Sequence, residues 1–205
     1  MAGLTVSDLG GMRELVKDWA DRSDLGDSKI DNFINIAVQR ANRLTKVPAI
    51  ENVVTIPLVN DDIPIPADYL QAKQLTIAVG GITFHLERKD IQFVETLASA
   101  GSGTPSFFAR KLDVFVIAPR PQSVTEAVLY YWRELDSLVD DTDTNWYITD
   151  GSTAILYGAL KELGVYISDE AFAASWDGQF QTALSEIQRQ YDTSEWSGDT
   201  LSVTI

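Results

Sequence analysis

Hydrophobic positions recur every three or four residues at both ends of the chain and alternate in its middle. That pattern predicts helices flanking a β-rich centre. Leu9, Met12, Val16 and Trp19 fall on one helical face, and Thr5 with Asp8 resembles a capping box at its start. After the turn DRSDLGD, Asp27 or Ser28 can cap a second helix, whose Ile30, Phe33, Ile34, Ala37, Ala41 and Leu44 form an apolar stripe. Pro48 rules out simple continuation, so the first section reads as two antiparallel helices joined by a short loop.

The centre has the period of strands. Val53–Val59 and Ile63–Ile65 are apolar and β-branched around the turn Asn60-Asp61-Asp62. Leu75–Val79 and Ile82–Leu86 are separated by Gly80-Gly81, the two-residue spacer of a tight hairpin. A short helix near Arg88–Leu97 leads into the small-residue loop ASAGSGTPS, and Leu112–Ile117 and Val124–Trp132 read as two further strands. Beyond Asp140-Asp141 the helical period returns. Ile155, Leu156, Ala159, Leu160, Leu163 and Ile167 share a face, with Gly158 permitting close approach of a neighbour. Ser168 is placed to cap a last helix carrying Phe172, Trp176, Phe180, Leu184, Ile187 and Tyr191.

The expected fold class is therefore α+β. Helices from the two ends close into one bundle, and an antiparallel β-rich module is inserted between them. The expected divisions are an N-terminal helical hairpin over 1–48, the β-rich module over 49–140, C-terminal helices over 141–192 and an extended arm over 193–205.

Composition narrows the function. The chain has 205 residues, 45% of them hydrophobic, and no apolar run approaches the roughly 20 residues of a membrane helix. The N-terminus lacks the basic and apolar regions of a signal peptide, so the protein is expected to stay in the cytoplasm where it is made. With no cysteine, disulfides, thiolate metal sites and cysteine nucleophiles are excluded. The net charge of −14 is uneven: residues 134–205 hold 14 acids against Lys161 and Arg189 alone. A surface of that sign repels nucleic acid and argues against base or backbone readout.

Candidate chemistry is sparse. The one histidine, His85, sits in a hairpin strand with no second ligand or nucleophile beside it in sequence. Asp141-x-Asp143-x-Asn145 matches the first three ligand positions of a calcium loop, but Trp146 replaces the required glycine and Ser152 the bidentate glutamate. Gly101-Ser102-Gly103 lacks the lysine and helix start of a phosphate loop. No catalytic residue, metal site or cofactor is expected. Trp146 and Tyr147 follow five of the six acids between Glu134 and Asp150 and precede a helix. They either form a subunit or domain interface, where aromatics are favoured, or seal the β–helix junction within one chain.

The order of landmarks adds a family. RSDLGDSKIDNFINIAVQRANR is followed by IPIPADYL, the Gly-Gly hairpin and GTPSFFARKLDVFVIAPRP. VLYYWRELDSLVDDTDTNWYI and LYGALKELGVYISDEAFAASWDGQFQTAL complete the set. Across roughly residues 20–190 the chain resembles the head-to-tail adaptor proteins of short-tailed bacteriophages, related to the tubular tail protein under the portal. The sequence departs from that pattern at Ile148-Thr149-Asp150-Gly151-Ser152, where a longer apolar stretch and a Pro-Asp helix start would be expected.

The resemblance implies a virion protein at the head–tail junction, assembled as a ring of about twelve copies. The ring would join the portal to the tail tube or nozzle, and double-stranded DNA would pass through it without specific binding. Acids facing such a channel would keep DNA from sticking. Candidate oligomer or partner contacts are Trp146, Tyr147 and, in the arm, Trp196, Leu201, Val203 and Ile205, the arm being able to add a strand to a partner's sheet edge or lie in a groove between portal subunits. Two alternatives stand beside this one. The first is another head-completion or tail-ring protein; the second is a carbohydrate or small-ligand module that stacks its ligand on Trp132, Trp146 and Tyr147.

Overall fold

The computed structural model describes residues 6–196, with side chains through residue 192. The chain begins with α1 (Leu9–Ala20) and α2 (Asp27–Leu44), then a 3-10 turn at Pro48–Ile50. β1 (Glu51–Pro57), β2 (Asp62–Pro64), β3 (Tyr69–Val79), β4 (Ile82–His85) and β5 (Glu87–Arg88) follow. Next come α3 (Ile91–Ala100), β6 (Phe107–Lys111), β7 (Val114–Ala118) and β8 (Glu126–Arg133). Three helices close the described chain: α4 (Trp146–Thr149), α5 (Ser152–Tyr166) and α6 (Glu170–Trp196). The class is α+β, as the periodicity predicts. The elements divide into a β unit, Glu51–Arg133, and a helical unit made from the segments on either side of it.

In the helical unit α5 is the central element. Ser152, Ala154, Ile155, Leu156, Gly158, Ala159, Leu160, Leu163 and Gly164 are all buried, leaving little of its circumference to solvent. α1 and α2 each pack on it, and α6 runs along it. Close approach is possible because two α5 positions have no side chain. A β-carbon on Gly158 would stand 2.7 Å from that of Ala37 and 3.1 Å from the Phe180 ring. One on Gly164 would stand 2.8 Å from the Ala173 backbone nitrogen. Leu9, Met12, Ile30, Ile34, Ala37 and Ala41 supply the facing side chains, all with no exposed surface.

Several helix starts differ from expectation by one to three residues. Asp8 itself caps α1, accepting the Gly11 amide at 2.8 Å. Gly26 stands at the α2 N-cap, and Asp27 is inside the helix, paired instead with Lys17. Ser168 adopts a left-handed φ of 59° in the α5–α6 turn, and the α6 cap is Asp169, which accepts the Phe172 amide at 2.9 Å. Short polar residues in a row all suit a cap, and backbone geometry chooses among them. Three expected stripe positions are also exposed: Leu44 at 56%, Trp19 at 45% and Ile167 at 37%. α6 continues through Trp196, into the stretch expected to be an arm; Leu201, Val203 and Ile205 lie outside the described residues, as does the side chain of Trp196.

The β unit holds two four-stranded sheets, ordered β1-β8-β3-β4 and β2-β7-β6-β5. Pairing is antiparallel except between β5 and β6. Ile56, Leu75, Ile77, Leu129 and Tyr131 from the first sheet meet Ile63, Phe108, Phe115 and Ile117 from the second in one core. The second sheet's other face is covered by α3, where Val94 and Ala98 pack on Ala109, Val116 and Ala118. β7 is therefore buried on both faces, which is why Val114–Ala118 is apolar throughout instead of alternating.

Two turns use left-handed residues in pairs, as type I′ hairpins require: Gly80-Gly81, and Asn60-Asp61 with φ of 52° and 65°. The β6–β7 hairpin differs from expectation. Leu112 belongs not to a strand but to the turn, with φ of 53° and 82% exposure. Lys111 pairs with Val114 around it, and β6 itself carries only three apolar residues, too few to mark a strand by pattern.

Gly158→Val should destabilise the helical unit by about 2 kcal/mol or more, because the added carbons meet Ala37 and Phe180 in a packed core. Gly178→Ala, in α6 with nothing within 4 Å, should stabilise it by about 0.4–1 kcal/mol. Urea unfolding followed by tryptophan fluorescence measures both, since four of the five tryptophans belong to this unit.

Candidate functional site

The acidic stretch around residues 134–150 is used by the chain itself. α1 begins with amides that have no helical acceptor. The Leu9 N–H donates to the Asp143 carbonyl and the Gly10 N–H to the Asp141 carbonyl, each at 2.9 Å. The Asp143 carboxylate accepts the Val139 and Asp140 amides at 2.8 and 2.9 Å, and those two hydrogen bonds hold its pKa below the usual carboxylate value. Asn145 caps α4 through the Ile148 amide. The three residues that imitate a calcium loop thus aim at three different structural partners.

Arg13 of α1, 7% exposed, ties these pieces together. Its Nε and Nη2 grip both carboxylate oxygens of Asp31 on α2, at 2.7 and 3.1 Å. Nη2 also donates to Asp141 at 2.8 Å, and Asp27 lies 3.7 Å from Nη1. The hydrogen bonds to Asp31, more than those to Asp141, raise the guanidinium pKa still further, so it is charged at every accessible pH. Alongside, the Asn35 amide spans the Leu138 backbone, donating to its carbonyl at 2.9 Å and accepting its N–H at 2.8 Å.

Trp146 and Tyr147 differ in what they offer a partner. Tyr147 has no exposed surface. Its hydroxyl meets Thr45 Oγ1 at 2.7 Å, and because Thr45 already donates to the Ala41 carbonyl, Tyr147 is the donor. Burial pushes the Tyr147 pKa up to about 12. The side chain joins α4 to the C-terminal end of α2, and Gly151 lies close beside it: a β-carbon there would stand 3.2 Å from the Tyr147 ring. Trp146 is half-buried, edge-on to Tyr147 at 5.1 Å and to Tyr191 of α6 at 5.8 Å. Only Trp146 of the pair keeps exposed surface. Trp132 belongs to the β unit, whereas Trp146 and Tyr147 belong to the helical unit.

A second aromatic group escaped the sequence reasoning. Trp19 of α1 contacts Tyr157 of α5 at 6.1 Å and Trp176 of α6 at 5.8 Å. Tyr157 stacks on Trp176 at 5.4 Å, and Phe172 adds an edge contact. All four keep exposed surface. Their helical spacing is that of a core stripe, so nothing in the period distinguishes them from buried positions. His85, in the β unit, is exposed, with Nδ1 2.8 Å from Gln74 Nε2. Among the described residues no group of three acids or histidines is placed to hold a metal, and no helix is long and apolar enough to cross a membrane.

The helical unit keeps partly exposed aromatic side chains, Trp19, Trp146, Tyr157, Phe172 and Trp176, and holds most of the chain's acids. The model for the SU10 adaptor protein family matches residues 7–203, and the chain belongs to that family. It is a bacteriophage adaptor protein, a structural part of the virion. No curated protein matches the chain in sequence.

Arg13→Met should destabilise the helical unit by about 2–3 kcal/mol, because it leaves the largely covered Asp31 carboxylate without its counter-ion. Urea unfolding at neutral pH measures this. Tyr147 should ionise later than an unperturbed tyrosine, whose pKa is near 10. A raised pKa means the neutral form is favoured in the folded state, so its stabilisation is complete below pH 10 and lost as pH rises towards about 12. Phenolate absorbance should show a late-titrating group that Tyr147→Phe removes.

Proposed function

We propose that this adaptor forms a ring, of about twelve copies, that joins the portal to the tail tube or nozzle around the DNA channel. The observation that carries the proposal is the family match over residues 7–203, nearly the whole chain. The charge distribution agrees with it. The helical unit, residues 1–50 and 134–205, holds 21 acids against nine bases, while the β unit holds nine against seven. Around a ring, acids on an inward face would multiply into a field that repels the DNA backbone and lets DNA slide past. Several acids are already neutralised within the chain: Glu162 pairs with Arg40 and Lys161, and Asp177 lies 3.6 Å from Lys161. The channel-facing charge would come from the rest. Trp146, through its exposed surface, is the proposed partner contact, with Tyr147 packed edge-on against it. Trp196, Leu201, Val203 and Ile205 extend the proposal to the chain's end, where an alternating segment can add to a partner's sheet edge.

Co-expression with the portal of the same phage, followed by native mass spectrometry and negative-stain imaging, tests this. The expected product is a portal carrying a second ring of about twelve copies. A bare portal beside free monomer would contradict it. A ring of different symmetry on a tail component would favour the tail-ring alternative.

A further inference from the structure

A closed ring of identical chains needs two different patches on each copy, one meeting the other on the next. Among the described residues are a partly exposed aromatic face on one unit and a projecting apolar tip on the other. The aromatic face is Trp19–Tyr157–Trp176 of the helical unit, with Phe172 at its edge. Asp18 precedes Trp19, Asp177 follows Trp176, and Asp169 and Glu170 lead into Phe172, so the face has an acidic border. Lys161, one turn beyond Tyr157, is held by Glu162 and Asp177.

The projecting feature is the β6–β7 hairpin of the β unit. Leu112 stands at its tip, 82% exposed. Its left-handed φ of 53° is a conformation that a branched apolar side chain rarely adopts. Neither the exposure nor the conformation helps the isolated chain; a glycine would suit the turn better. Arg110 fixes the tip by donating from Nε to the Leu112 carbonyl at 3.0 Å, and it stacks over Tyr69. Lys111, beside Leu112, pairs with Glu95 of α3. Arg110 and Asp113 are the charged residues that flank this Lys111–Glu95 pair in the turn.

We propose that in the ring the Leu112 tip of one copy docks on the Trp19–Tyr157–Trp176 face of the next, with Arg110 meeting its acidic border. This rests on the ring proposed above. Charge selects the pairing. Two helical units, each with a net charge of −12, repel one another strongly, whereas the β unit, at −2, repels a helical unit far less and is its favoured neighbour. Aromatic side chains with partial exposure supply the anchoring contacts that dominate such interfaces.

Leu112→Gly separates folding from assembly. Its melting temperature should be unchanged or higher, since glycine relieves the left-handed residue, while the yield of portal-bound ring should fall by about tenfold or more. The cysteine-free sequence allows a second measurement on the same complex. In the double variant Asp18→Cys with Asp113→Cys, a short bis-maleimide should join neighbouring copies into a ladder of covalent multimers. Leu112→Gly rings at the unmodified yield, or rings without the ladder, would overturn the contact and leave the ring standing. Failure of the unmodified chain to form any ring on the portal would overturn the ring and the contact together.

Discussion

Arg13 is the point on which the helical unit closes. The β unit is inserted between the chain's two helical segments, so residues far apart in sequence must be brought together without help from the connection. Arg13 does this from α1 by gripping Asp31 of α2 and Asp141 of the returning chain at once. The carbonyls of Asp141 and Asp143 complete the join by accepting the first amides of α1. A single guanidinium suits the task because its planar donors face several acceptors in fixed directions. The cost of burying it is offset only while all the carboxylates remain, which makes the closure cooperative.

Once closed, the unit depends on α5. Gly158 and Gly164 let α2 and α6 approach nearly to backbone contact, and the buried aliphatic residues around them fill the space. α6 in turn positions Phe172 and Trp176 on the surface, and Tyr191 against Trp146. Core packing and aromatic display therefore share one scaffold, and the acids that remain unpaired lie around it. The same helices that stabilise the monomer determine what it shows to a neighbour.

Much of this was legible in the residues. Period 3.6 at the ends and period 2 in the centre led to the α+β class, and Gly80-Gly81 to its hairpin. Gly158 was read as a site of close approach, and it is one. What period cannot tell is depth: Trp19 and Leu44 share faces with buried residues yet are exposed, because a helix face extends past the edge of its neighbour. Caps slipped by one residue wherever short polar residues stood in a row, as at Gly26-Asp27-Ser28 and Ser168-Asp169. An apolar side chain at Leu112 suits a strand by pattern; the turn that holds it is set by the pairing of Lys111 with Val114, a contact of the fold that the pattern does not carry. The roles of Asp141 and Asp143 depend on Arg13 and on the α1 amides more than 120 residues away in sequence.

The central claim is that this chain is built to be covered by other chains. Hydrogen–deuterium exchange on the free protein and on the portal-bound assembly tests it directly. The account predicts that exchange slows on assembly in α1 around Trp19, in the first turns of α6 and in the β6–β7 hairpin, while the already buried α5 changes little. Equal exchange at those three segments in the free and assembled states would contradict it.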